Sequence, residues 1–152
     1  MASGQKQIDP ALSPTDLAAA TRTLWHDVIV DNRWWVPELG GTARDWTRKT
    51  IYFDHRLPRR LEIGGQTMDV FRYLLIHECV ERTLMDELGL PYALAHTFAT
   101  GAERVAVEAD GFSWEEYTLA LRPWIKLART KPKGVAMAPG IDDRPMRADH
   151  FH

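Results

Sequence analysis

Two ionisable side chains stand where an amphipathic helix should carry leucines, and the next helix answers with two more. In RYLLIHECVERTLMDELGLPYALAHTFATGAERVAVEADG, the first helical pattern puts Val70, Leu74, His77, Glu81, Leu84 and Leu88 on one seam. The steps of four and three are those of a core-facing stripe. Glu78 lies on the adjacent row with Leu74, Glu81 and Met85. The second pattern places Tyr92, His96, Ala99, Glu103, Ala106 and Asp110 on its seam. A buried carboxylate without a partner costs several kcal/mol. A chain with this pattern must therefore bring these groups together, or hold a metal ion between them.

The connection favours such a meeting. Gly89 suits the position just past a helix end, and Pro91 suits the first turn of the next helix. A joint this tight predicts antiparallel neighbours. Taking Leu90 as the pivot, His77 lies 13 residues before it and Glu103 lies 13 after, so the two share a level. Glu81 and His96 differ by three residues, about 4.5 Å along the axis. Ala95, Ala99 and Ala102 leave room between the helices. His77, Glu81, His96 and Glu103 thus converge as candidate ligands. Imidazole and carboxylate donors suit zinc first, with iron or manganese as alternatives. A dinuclear centre of the helical-bundle kind fits poorly, because neither helix offers the Glu-x-x-His spacing. The other reading is a structural polar network or structural metal site in a non-enzymatic interaction protein, with His77 bonded to Glu103 and Glu81 to His96 or a nearby arginine.

The remainder of the chain supplies a frame for this pair. Residues 1–12 are polar and read as a flexible leader. Ser13, Pro14 and Asp16 open a helix whose apolar positions, Leu17, Ala20, Leu24 and Val28, carry it to about Val30. Residues 31–48, with three tryptophans, read as an aromatic-pinned loop. TIYF at 50–53 predicts a strand, and Leu61–Ile63 with Gln66–Met68 predicts a hairpin around Gly64–Gly65. Helices are expected at about 69–88, 91–110 and 113–130, the last opened by a Ser113/Glu116 capping box and kinked at Pro123. The stretch 131–152, rich in Pro and Gly, is an extended or flexible tail. The fold class is therefore α+β and mostly helical: a small strand pair precedes an antiparallel helix pair, within one domain over 13–130.

Composition narrows the partners. With 152 residues, net charge −2 and pI about 6.3, the chain lacks the basic excess of a nucleic-acid binder. No run of 18 apolar residues predicts a membrane span. One cysteine, Cys79, and a leader without an apolar segment suit a cytoplasmic protein. A peptide or small-molecule substrate is expected. Cys79 reads as a small hydrophobe, and Arg56, Arg59 and Arg60 as weak phosphate contacts balanced by Asp54 and Glu62. His55, just after the strand, is a candidate substrate contact in the same cavity, set against a plain loop histidine beside Asp54.

His77-Glu78-Cys79-Val80-Glu81 resembles the HExxH helix of the zincin metallopeptidases, with Glu81 in place of the second histidine. The strand TIYFDHRLP sits where those enzymes carry a strand before that helix, so the likeness spans about 60 residues. The resemblance implies a metal-dependent hydrolase in which His77 and Glu81 are ligands and His96 or Glu103 is the third. It also implies Glu78 as the general base acting on a metal-activated water. The departure at Glu81 adds a negative ligand, which lowers the Lewis acidity of zinc and admits iron or manganese.

Overall fold

The computed structural model describes residues 27–149. The first expected helix lies mostly outside these residues. Its end does not hold: Ile29–Asp31 is a strand, β1, in which β-branched Ile29 and Val30, with Asp31, pair in parallel with Thr50–Tyr52 of β3 (Thr50–Phe53). Inside the expected aromatic loop, Gly40–Thr42 forms a further strand, β2, antiparallel to β3. The sheet order is thus β1-β3-β2. The hairpin forms as expected from Arg60–Ile63 (β4) and Gln66–Asp69 (β5). Gly64 and Gly65 both take positive φ, 59° and 78°, the requirement of a tight two-residue hairpin turn.

Three long helices follow: α1 (Val70–Leu88), α2 (Tyr92–Ala109) and α3 (Trp114–Ala128). Gly89 ends α1 at φ 67°, a left-handed cap that most side chains would resist. Ser113 caps α3, its hydroxyl accepting from Glu116 N at 3.3 Å. No helix among the described residues is long and apolar enough to cross a membrane.

Helix α1 is the hub. Thirteen of its 19 residues are buried, so it is enclosed on nearly every side. One face packs on α2, where Ala95, Ala99, Ala102 and Ala106 are fully buried and let the two backbones approach closely. The other side packs on β2 and carries Arg82, a buried guanidinium 6% exposed. It donates to Thr42 Oγ1 and to the carbonyls of Ala43 and Arg44, at 3.0, 2.6 and 2.8 Å, and pairs with Asp86. A cation here is tolerated because its donors are matched.

The tail does not leave the domain. Residues 136–142 run along the sheet side, with Trp35 N donating to Ala136 O, Arg44 N to Gly140 O and Asp142 N to Thr42 O. Ala138 and Ile141 close a second small core with Val36 and Tyr52, and a short helix, α4, occupies Arg144–Asp149. Two of the three arginines after β3 are consumed locally: Arg56 pairs with Asp54 and Arg59 with Asp69. Trp35 packs and caps, its Nε1 donating to Ala128 O at 2.7 Å.

Candidate metal centre

Neighbouring turns of α1 place His77 and Glu81 on the same face, and α2 brings His96 and Glu103 against them. His77 is held on both ring nitrogens. Its Nδ1 lies 2.9 Å from Glu103 Oε1, and its Nε2 lies 3.0 Å from Glu81 Oε2. His96 Nδ1 stands 3.0 Å from the same Glu81 oxygen and 3.2 Å from His77 Nε2. The level count about Leu90 thus pairs the residues that meet in space.

His77 Nε2, Glu81 Oε2 and His96 Nδ1 form a nearly equilateral triangle. Among the described residues, His77, Glu81 and His96 are the one group of three whose donor atoms could share a metal ion. Tetrahedral zinc with bonds of about 2.0–2.1 Å sets its ligand atoms about 3.3–3.4 Å apart. The triangle would open by only a few tenths of an ångström to accept such an ion, and the donor chemistry fits zinc, iron or manganese.

Glu103 takes the place that the polar-network reading gives it, against His77 and outside the triangle. It bonds the opposite ring nitrogen of His77, and its second oxygen accepts from Tyr117 OH at 2.6 Å. Both oxygens are thereby engaged, so Glu103 orients the imidazole from behind instead of joining the triangle. Carboxylates in this relation fix the tautomer and aim the other nitrogen. Tyr117 was not legible as part of the site, although a signal exists. It opens the stripe Tyr117, Leu121, Ile125 on α3, and a hydroxyl on a core stripe needs a partner. Replacing Tyr117 by Phe keeps the ring and strips the donor from a buried carboxylate oxygen. We expect a loss of about 1–3 kcal/mol in urea unfolding and a fall of tenfold or more in metal affinity. Unchanged values for both would remove Tyr117 from the site.

Burial and hydrogen bonding set the charges. Burial alone would push the His77 imidazole down, but the hydrogen bonds to Glu103 and Glu81 outweigh it and hold its pKa well above the ordinary value. Glu81 shows the complementary balance: burial raises it, and the hydrogen bonds from His77 and His96 bring it below the usual range. Glu78 is different. It is 7% exposed and forms no hydrogen bond with the described residues. Burial, followed by the negative charge of Glu81, pushes its carboxyl up to about 8 against the lowering influence of His77.

Glu78 reaches a cavity of about 570 Å³ whose lining also includes His77, His96 and Glu103. His96 has 47% of its side chain exposed, so the triangle borders this space and is not sealed in the core. Gly40 on β2 makes room for the acid: a Cβ there would come within 3.1 Å of Glu78 Oε2 and 3.3 Å of the Phe53 ring. His55 does not line the cavity. The turn after β3 is organised around the buried Asp54, which accepts from Val36 N and Arg56 Nε at 2.9 Å each. His55 is left beside it, Nδ1 3.7 Å from Asp54 Oδ1. The expected substrate contact is thus a loop histidine. Cys79 is buried, and burial with the charge of Glu78 pushes its thiol up to about 12, which leaves no thiolate for chemistry.

Comparison with family models, curated proteins and solved structures finds no match to the chain.

Proposed function

We propose that the protein is a metal-dependent hydrolase in which His77, Glu81 and His96 hold the ion and Glu78 is the general base. One observation carries this reading: three donors lie 3.0–3.2 Å apart, two of them, His77 and His96, on the wall of a cavity that also receives the buried Glu78 carboxyl, which has no hydrogen bond among the described residues. Bound there, a zinc, iron or manganese ion supplies a water of lowered pKa and polarises a carbonyl. Glu103, backed by Tyr117, keeps His77 Nε2 aimed at the centre. Glu78 takes the proton of the attacking water and returns it to the leaving group. Its raised pKa serves that role, because a metal cation held by Glu81 would offset the negative charge that helps keep the carboxyl protonated. Peptide amides are the first substrates to test, given the cavity and the partial likeness to zincins.

A second reading, a metal-free structural network, is favoured by the engagement of both His77 nitrogens. It gives no account of Glu78, since buried polar groups in structural networks find partners. The test is metal content by plasma mass spectrometry, on full-length protein carrying His150→Ala and His152→Ala so that the terminal histidines contribute nothing. We expect about one zinc, iron or manganese per chain, lost in His77→Ala. Cleavage of a fluorogenic peptide library should vanish on chelation and return with metal. Protein that takes up none of the three metals would overturn the proposal in favour of the network.

A further inference from the structure

The cavity beside the His/Glu cluster has a polarity of its own. It is lined by Glu38–Gly40, α1, α2 and α3; α2 and α3 are joined by the four residues 110–113, a connection short enough to turn α3 back along α2. Two contacts fix their relative level: Tyr117 OH on Glu103 Oε2 at 2.6 Å, and the Arg104 guanidinium 6.0 Å from the Trp114 ring. Stepping along both helices from there sets Leu121 between the levels of Glu103 and His96, and Ile125 just beyond His96, both lining the cavity. Arg129 therefore stands about five to seven residues, ~8–10 Å along the axis, beyond the level of His96.

The ends of the cavity carry opposite charge. Glu78 and Glu103 lie at the cluster end, Leu121 and Ile125 form an apolar stretch, and Arg129 is the one arginine or lysine in the lining. Its guanidinium forms no ion pair with the described residues. Nor does the end of α3 need it for capping. Ala128 O already accepts from Trp35 Nε1 at 2.7 Å, and Thr130 O from Arg56 Nη2 at 3.0 Å. A planar fork without an ion-pair partner among the described residues, beside an apolar slot, suits a carboxylate. The carboxyls at the other end turn the same group away.

We propose that this cavity binds a short ligand with a terminal carboxylate held by Arg129 and an apolar side chain packed on Leu121 and Ile125. A volume of about 570 Å³ suits a ligand of drug-like or short-peptide size. Resting on the hydrolase reading for what happens at the other end, the substrates are peptides or acylated amino acids with a free carboxyl terminus and an apolar last residue. The bond cut is the one presented to Glu78 just before that residue. Water adds to the carbonyl carbon, the C–N bond breaks, and the proton taken by Glu78 leaves with the amine.

The test is calorimetric titration of the full-length, zinc-supplied protein with 4-phenylbutanoate and, separately, its uncharged amide. Wild type should bind the acid about tenfold or more tightly than the amide. Arg129→Gln should abolish that preference, Arg129→Lys should restore part of it, and omitting the zinc should leave it intact. Equal binding of acid and amide, absence of binding, or a preference that survives Arg129→Gln and disappears without zinc would overturn the proposal. The last result would put the carboxylate on the metal instead. An Arg129-dependent preference in protein that holds no metal and cuts no peptide would sink the hydrolase reading and leave the binding site standing. Metal-dependent cleavage indifferent to the terminal carboxylate would do the reverse.

Discussion

Zinc added to metal-free protein is expected to raise its melting temperature by about 5–10 °C at a hundredfold excess over Kd. Such an excess contributes about 2.7 kcal/mol when the ion binds the folded state alone, and each kcal/mol moves Tm by about 2–4 °C in a chain of this size. His77→Ala should erase the gain. It should also lower the metal-free baseline by about 3–5 kcal/mol, because Glu81 and Glu103 lose the imidazole that both of them bond. His96→Ala is the cleaner control. It removes a donor that is half exposed, so its baseline should move little while the zinc response still disappears. A zinc response that survives both substitutions would place the metal elsewhere.

The same centre fixes a pH dependence with opposite signs in the two states. In metal-free protein the His77 pKa is raised well above its ordinary value by Glu103 and Glu81, despite burial. Its contribution to stability is then complete below about pH 6.5, the ordinary histidine value. It is lost as the pH rises through the higher pKa of the folded state. Metal needs the deprotonated Nε2, so binding displaces that proton and apparent affinity climbs by up to about tenfold per pH unit over the same interval. Proton release in calorimetry, compared across buffers of different ionisation enthalpy, measures it directly. An affinity that is flat with pH would mean that His77 is not the ligand.

Much of this arrangement was legible before any coordinates. The helix pair, its tight joint and the meeting of His77 with Glu103 follow from spacing alone, because one short connection fixes the levels of two antiparallel helices. The hairpin was equally open to reading, since Gly64–Gly65 permits few other turns. What stayed hidden depends on partners distant in sequence. β2 is Gly40-Gly41-Thr42, with almost no strand propensity of its own, and exists because β3 pairs with it. β1 has a β-branched signal, but the helical pattern upstream runs into it and masks it. The place of Glu103 behind His77, outside the triangle of donors, was hidden for another reason. Spacing places a side chain at a level and says nothing of which ring nitrogen it meets, and the deciding group, Tyr117, comes from a third helix.

Glu78→Gln is expected to divide stability from activity, and the division is the strongest test of its role. In metal-free protein the Glu78 carboxyl is pushed up to about 8, chiefly by burial and by the charge of Glu81. A carboxyl raised in the folded state favours folding while protonated. That contribution is complete below the ordinary glutamate value of about 4.3 and is lost as pH rises to the folded value of about 8. Glutamine imitates the neutral form and does not titrate. Wild type and Glu78→Gln should therefore match in denaturant unfolding at pH 4 and part company through the window. By pH 8–9 the variant should be more stable, by up to about 5 kcal/mol, since each pH unit of that window contributes about 1.4 kcal/mol. Metal content should be unchanged, because Glu78 lies outside the triangle of donors. Turnover should fall by about 10²–10⁴, the range for loss of a general base. A stability difference that ignores pH would mean the carboxyl is already partnered and neutral for another reason. Turnover that survives the substitution would remove Glu78 from the mechanism, whatever the metal does. Only a gain in stability above neutral pH together with a loss of turnover matches a buried acid kept unpaired for chemistry.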